Sequence, residues 1–485
     1  MRNRCSLTSL LLAVFLLYTS LLSPPLAWSK VYPWTAVSEE DIEIIPNNAL
    51  EAPLRIRLIE EAQQRIDIIV YDQRSDELHA IPLLLALRDA ADRGVRIRFL
   101  TNWLPRALGD ADAIAPKFLT SPRPKGIVEY FMVGGTPALG GGWMAGDGVH
   151  EKILIVDGKV LLTTGRGFGG PYDHWLDTAY LIRGNLVAQA QQAFDDIYYI
   201  VRKKFEKFRP QGPLGEARRE HLRIVGRTTL NSNRITLPGI RANELTAWSF
   251  SPPRCNNPQG PIEECGPTVR GRLLHNEVIR QVAEIGPWRL HNLQLRLKHV
   301  RDDILESVIS RVDQSARSVE FTTLSTLTPV NLRKAFAAAV RRGVAVTGYT
   351  NGARAYEDIG PWPLPWTVGL YSMKNLLDDG VSVKKFVRPN LESRYTFLHR
   401  KVALFDEQTI IFGSHNLNLP SSTNNDEISF EIESPKLNAE LRSIFEKERS
   451  QNYFEDVSRE EVTKDSETWS ALFQRMIARP IINLF

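Results

Sequence analysis

Cysteine is scarce in this chain, with three in 485 residues. Cys5 lies in the first few residues, and Cys255 and Cys265 flank a single loop. No Cys-x-x-Cys pair occurs, so a zinc cluster is unsupported. Net charge is scarce as well. The chain carries 60 Lys and Arg against 56 Asp and Glu. A nucleic-acid binder working through a general positive field has a larger basic excess, so only a local basic groove stays open. Beyond the first thirty or so residues, no run is long and apolar enough to span a bilayer. Six histidines, at 79, 174, 221, 275, 291 and 299, have no partners at ligand spacing and read as structural or surface residues.

What is present begins with a basic start, MRNR, an apolar run, LLLAVFLLYTSLL, and a small-residue site at Ala27 and Ser29. This pattern predicts a signal peptide over residues 1–29 and an exported protein, periplasmic or secreted. An uncleaved N-terminal anchor is the alternative. Losing Arg2 and Arg4 with the leader would bring the charges still closer to balance. In an exported chain, Cys255 and Cys265 in SPPRCNNPQGPIEECGPT read as a disulfide, with free thiols as the alternative.

One unit is used twice. LLALRDAADRGVRIRFLTN (84–102) shows apolar residues at helical spacing, Gly94 as a stop, then a strand; RKAFAAAVRRGVAVTGYTN (333–351) repeats this around Gly343. Gly94 and Gly343, His150 and His399, and Asp157 and Asp406 all stand 249 positions apart. Distant landmarks sharing one offset indicate duplication. Strands alternating with helices predict an α/β layer structure. The long amphipathic stretch from Asn185 to Phe208 closes the first unit. The layout is a first lobe over 30–208, a connector over 209–300 with no clear role, and a second lobe over 301–485.

The chemistry sits in VHEKILIVDGKVLLTTG (149–165) and FLHRKVALFDEQTIIFGSHN (397–416). Asp157-Gly158 between two apolar runs is a hairpin signal. Alternation along a strand points His150 and Lys152 the same way, and likewise His399 and Lys401. An imidazole beside an ammonium suits a phosphate: the first can act as nucleophile or proton donor, and the second neutralises oxygen charge. Ser414 and Asn416 can donate to the same anion. On their residue types alone, Asp157 and Asp406 read as turn formers rather than catalysts.

His399-x-Lys401, four residues, Asp406, six residues, Gly413-Ser414-x-Asn416 resembles the HKD signature of the phospholipase D superfamily at every position. His150-x-Lys152, four residues, Asp157 matches its first part, but Thr164-Gly165-Arg166-Gly167 departs from the rest. The resemblance covers most of residues 50–450. It implies two similar α/β/α lobes related by a pseudo-two-fold, with one active site at their interface. It also implies a catalytic set of His150, Lys152, Asp157, His399, Lys401 and Asp406, with Ser414 and Asn416 binding phosphate and no metal or cofactor. One histidine forms a phosphohistidine and the other is the acid/base; by analogy these are His150 and His399. An acid after each motif orients its histidine. Asp177 and Glu427 are the candidates, and solvated strand-edge acids are the alternative.

The reaction implied is transfer of a phosphatidyl group to water or an alcohol, similar to cardiolipin synthases, with a phospholipid substrate and contact with a membrane surface. The alternatives are an exported nuclease and a degenerate lipid-binding relative; near-neutral charge speaks against nucleic acid. Two stretches could meet lipid: the Trp-rich loop GPWPLPWTVGLYSM (360–373) and the tail WSALFQRMIARPIINLF (469–485). GGTPALGGGWMAGDG (134–148) lacks the GK[ST] of a phosphate-binding loop and reads as a mobile loop at the site's mouth.

Overall fold

The computed structural model describes residues 32–207, 268–285 and 300–466, apart from 47, 74–79, 103–117, 120–123, 134–147, 169–171, 173, 353–354, 356–363, 391–392 and 394. The leader, Cys255 and Cys265, the tail and nearly all of the glycine-rich stretch lie outside the described residues. Among the described residues, no helix is long and apolar enough to cross a membrane.

Two sheets share one strand order. The first runs β2 (Ile42–Ile45), β10 (Ala179–Arg183), β8 (Val160–Thr164), β7 (Ile153–Val156), β3 (Arg65–Val70), β4 (Arg96–Asn102), β5 (Val128–Val133). The second runs β11 (Val269–Asn276), β18 (Asn425–Glu433), β17 (Thr409–Gly413), β16 (Val402–Phe405), β12 (Ser318–Thr322), β13 (Ala345–Asn351), β14 (Ser382–Phe386). It is widened by β1 (Thr35–Val37) at one edge and β19 (Phe454–Asp456) at the other. In each sheet a parallel trio, β3-β4-β5 or β12-β13-β14, meets an antiparallel hairpin, β7-β8 or β16-β17. Helices cover the sheets, so ILIV and VALF are buried along their whole length. Burial on both faces produces continuous apolar runs where a one-sided sheet would alternate.

The repeated stops behave as their sequence implies. The helices Ala80–Arg93 and Val330–Arg341 both end at a glycine in the left-handed region, Gly94 at φ 107° and Gly343 at φ 89°. Their end bonds match, Val95 N to Ala90 O and Val344 N to Ala339 O, and so satisfy the last carbonyls before the chain turns into a strand. Asn185–Lys207 is a helix of 23 residues.

Two expectations need correction. The connector is not separate from the lobes: its described part supplies β11, which lies beside β18 in the second sheet. β1, placed by sequence in the first lobe, pairs antiparallel with β11 and so belongs to the second sheet as well. The lobe boundaries are therefore interlaced, because an edge strand is recruited by open backbone groups rather than by proximity along the chain. The Trp-rich loop is in part a helix, Leu364–Asp378, with Leu370 and Met373 buried and Tyr371 exposed.

Two short parallel pairings cross between the lobes and position the site. β6 (Gly148–Val149) pairs with Asn425 and Asp426 of β18. β15 (Phe397–Leu398) pairs with β9 (Trp175–Leu176). Each strand leading into a His-x-Lys pair is thus hydrogen-bonded to the segment carrying the other lobe's acid.

Candidate active site

His150 and His399 stand immediately after β6 and β15. The crossed pairing continues through their backbones, with His150 N donating to Asp426 O and His399 N to Leu176 O, both at 2.9 Å. The residue after each acceptor carries the acid. Nδ1 of His150 is 2.8 Å from Glu427 Oε1, and Nδ1 of His399 is 2.9 Å from Asp177 Oδ2. A carboxylate on Nδ1 holds the proton there and leaves Nε2 with a lone pair, the state a nucleophile or a base requires.

All four groups are buried. Burial lowers His150 to about 4, against the pull of Glu427. It also lowers His399 well below 6.5, helped by Lys401, Lys152 and His150. Each histidine therefore feels the other lobe's lysine. The two acids differ. Burial opposes ionisation of Glu427, but His150, Lys152 and His415 prevail and hold it at about 2. At Asp177 burial prevails over Lys401 and Arg166, and its pKa is raised.

Lys152 Nζ donates to His150 O at 2.6 Å, and Lys401 Nζ donates to His399 O. A lysine bound to its own histidine's carbonyl is held beside that histidine. Burial lowers Lys152 to about 7 and Lys401 to about 8, against the nearby carboxylates. Two cations kept from water and close to losing their protons form an anion trap, since a bound phosphate restores the charge that burial disfavours.

Rings line the pair. Tyr71 meets His150 edge-on at 4.9 Å and lies 5.4 Å from Lys152 Nζ. Trp175 stands 4.6 Å from His399, with Tyr172 at 6.1 Å.

Several residues carried by the motif do other work. Asp157 and Asp406, counted with the catalytic set, sit in the hairpin turns at φ 53° and 50°. That is roughly 20 Å of extended chain from their histidines. Asp157 accepts the N–H groups of Gln63, Gln64 and Arg65, and Asp406 those of Ala316, Arg317 and Ser318. They fasten each hairpin to the helix-to-strand turn ahead of the adjacent strand in the same lobe. Ser414, expected on the phosphate, instead gives its hydroxyl to Glu427 Oε2 and accepts from Ile428 N. Asn416 is buried in the motif with its Oδ1 unpartnered, and its Nδ2 is the atom that can donate to an anion. His415 turns to Asp302, 3.0 Å away.

The departure of the first motif has a steric cause. Gly165 occupies the place of Ser414, and a Cβ there would come within 2.2 Å of Asp177 Oδ2. One lobe uses a long acid steadied by a serine; the other uses a short acid that fills the space a side chain would need.

Sequence reading missed Asn351, whose side chain accepts from Leu398 N at 2.7 Å and donates to Leu398 O at 2.8 Å, pinning β15. Asn102 reaches Val149 O at 3.4 Å in the other lobe. Both end the repeated stretches, and their shared 249-residue offset was the available signal. Trp175 was legible too, since it stands two residues before Asp177 on an extended segment and so shares its face. Among the described residues, no group of three or more His, Cys, Asp or Glu is placed to hold a metal ion.

The family model described as "Cardiolipin synthase, PLD-like domain" matches residues 55–196 and again 308–449. No curated protein sequence matches the chain. Among solved structures, a phosphatidylserine synthase from Haemophilus influenzae Rd KW20 aligns over 95% of this chain and 97% of its own, at 13% identity and a TM-score of 0.60. That likeness is one of fold. Nuc, a phospholipase D family member from Salmonella typhimurium, aligns over 31% of this chain and 89% of its own, at 22% identity and a TM-score of 0.25.

Proposed function

The chain belongs to the phospholipase D superfamily, with two copies of its domain, and from that premise we propose that it is a phosphatidyltransferase or phospholipase acting on phospholipids through a phosphohistidine. Membership supports a phosphodiesterase of the phospholipase D type; the lipid substrate and the covalent intermediate are our own reading. One observation carries it: two imidazoles, each fixed at Nδ1 by the opposite lobe's carboxylate, with a buried lysine bonded to the carbonyl of each.

Nε2 of His150 attacks phosphorus and the P–O bond to the leaving alcohol breaks. His399 gives that alcohol a proton from Nε2, then withdraws one from the incoming water or alcohol, which attacks phosphorus and releases His150. Attack makes the nucleophile's ring cationic, so the nucleophile belongs beside the more firmly ionised acid. Glu427, held at about 2, makes His150 that residue. Lys152, Lys401 and the Nδ2–H groups of Asn416 donate to the phosphate oxygens. The anion they bind also favours a proton on His399, which the empty site disfavours.

Export and contact with a membrane surface complete the reading, supported by the leader-like start and the Trp-rich segment. The deciding experiment is incubation with mixed phospholipid vesicles in chelator, with and without glycerol, followed by mass spectrometry of the products. Phosphatidic acid, or a new phosphatidyl ester when glycerol is added, is expected. Cleavage of DNA with no change in lipid would replace this reading with that of a nuclease, and no turnover of either would leave only a binding protein. Met1 found in the mature protein would refute cleavage of a leader.

A further inference from the structure

Beside the first His-x-Lys pair lies a cluster of buried charge that the mechanism above does not use. Glu151, between His150 and Lys152, is only 1% exposed. Its Oε1 is 3.2 Å from Nε2 of His275, which sits on β11, the strand contributed by the connector. Nδ1 of His275 is 3.3 Å from Glu277 Oε1, and Arg280 pairs with Glu277 at 3.2 Å. Asp426 completes the group. Its side chain accepts from Ile279 N at 2.7 Å, and its carbonyl accepts from His150 N. His275 is paired with Ile428 in the sheet, directly after Glu427.

The second copy solves the same problem with the signs reversed. Arg400 stands between His399 and Lys401, is 1% exposed, and is held by Glu448 and by the hydroxyl of Thr178, the neighbour of Asp177. In each copy the middle residue of the His-x-Lys pair is a buried charge. Its counter-charge comes from an element outside the hairpin. A buried charge lacking such a partner is strongly disfavoured.

We propose that His275 is a positioning residue of the active site: as an imidazolium on the connector strand it holds Glu151, and through Glu151 it fixes how His150 and Lys152 leave the backbone. This rests on the phosphodiesterase reading above. Burial disfavours the charge on His275, but Glu151 and Glu277 outweigh it and raise its pKa to about 10. Burial and the Glu151 carboxylate raise Asp426, so it is the acid of this group whose charge is disfavoured. The other charged and titratable groups facing the cluster are Lys152, Arg280 and Tyr32. Across a cavity of about 190 Å³ beside His275 stand Arg272, Arg301, Asp303 and Glu306.

The test uses the full-length protein as wild type, His275→Gln, Glu151→Gln and the double variant, with bis(4-nitrophenyl) phosphate as substrate across pH. Circular dichroism and thermal unfolding check folding. A second readout needs no turnover: the pH midpoint for diethyl pyrocarbonate modification of His150, followed by peptide mass spectrometry. In folded His275→Gln, kcat falls about tenfold, with KM changed by less than about threefold. The His150 midpoint rises by about half a unit or more, because the Glu151 charge is no longer offset. Adding Glu151→Gln returns the midpoint toward wild type and recovers about threefold or more in kcat. An unmoved midpoint with multiplying losses in the double variant overturns the proposal. Should His275→Gln fail to fold, Glu151→Gln alone must lower the midpoint, and no shift is again fatal. A wild type inactive on every phosphodiester defeats the phosphodiesterase reading, while the midpoint still decides the role of His275.

Discussion

Nδ1 of His399 lies 2.9 Å from Oδ2 of Asp177, a carboxylate 222 residues earlier in the chain and in the other lobe. His150 and Glu427 repeat the relationship across 277 residues. Neither lobe owns a complete histidine–carboxylate pair.

Replacing either acid with its amide removes the charge but keeps the shape. Asp177→Asn and Glu427→Gln should stay folded and each lose about 100-fold in turnover of a chromogenic phosphodiester. Rapid quenching should separate them, with Glu427→Gln slowing formation of the phosphoenzyme. Wild-type rates in either variant would strip that acid of its role.

Making the first motif look more regular should harm it. Gly165→Ser places a Cβ where Asp177 already stands, so His399 loses its partner. Turnover should fall by about tenfold or more, even though the substitution brings the sequence nearer the usual pattern. Gly165→Ala should do the same, because the collision is with Cβ and not with a hydroxyl. Unimpaired turnover in both variants would refute the steric account.

The pH dependence follows from the buried site. In the free enzyme His150 becomes a competent nucleophile above about 4, and Lys152 and Lys401 stay cationic only below about 7 and 8. The profile of kcat/KM should therefore rise on the acid side and fall above neutrality. The lysines also link pH to stability. Their folded pKa values lie below the ordinary lysine value of 10.5, so the unfolded chain binds more protons between about 7 and 10.5. Their contribution to the stability of the empty protein rises with pH over that window. Inorganic phosphate, which favours the cations, should raise the melting temperature more at pH 6.5 than at pH 9. An equal rise at both would remove the lysines from the anion site.

Asp406 should behave as a structural residue. Three N–H groups from Ala316, Arg317 and Ser318 lower its pKa against the opposing effect of burial. A depressed carboxylate stabilises the fold above its unfolded pKa, and the effect is lost as pH falls through the folded value. Asp406→Ala should cost about 1–2 kcal/mol in denaturant unfolding at neutral pH, and less in acid. The folded fraction should turn over substrate within about threefold of wild type. A large kinetic defect in fully folded protein would return Asp406 to the catalytic set.

Much of this was legible in the sequence because it is local or repeated. The hairpins, the glycine stops and the His-x-Lys pairs are set by neighbouring residues and by one constant offset. The acids were found as candidates, but not their exchange between lobes, since no spacing says which histidine a carboxylate will meet. The destination of Ser414 was hidden because a hydroxyl suits a phosphate and a carboxylate equally well. The connector was opaque for a related reason: β11, VRGRLLHN, has no clear strand pattern, and only the open edge of β18 decides where it docks. His275, with Glu277 beside it, gave no hint of the acids Glu151 and Asp426 arriving from two other segments.

The two short crossing strands make the enzyme all-or-nothing. A ribosome that has finished the first lobe has produced His150 and Lys152, yet the glutamate that orients the imidazole is still hundreds of codons away. A premature stop ahead of Glu427 therefore leaves a fragment in which His150 has no carboxylate to orient it.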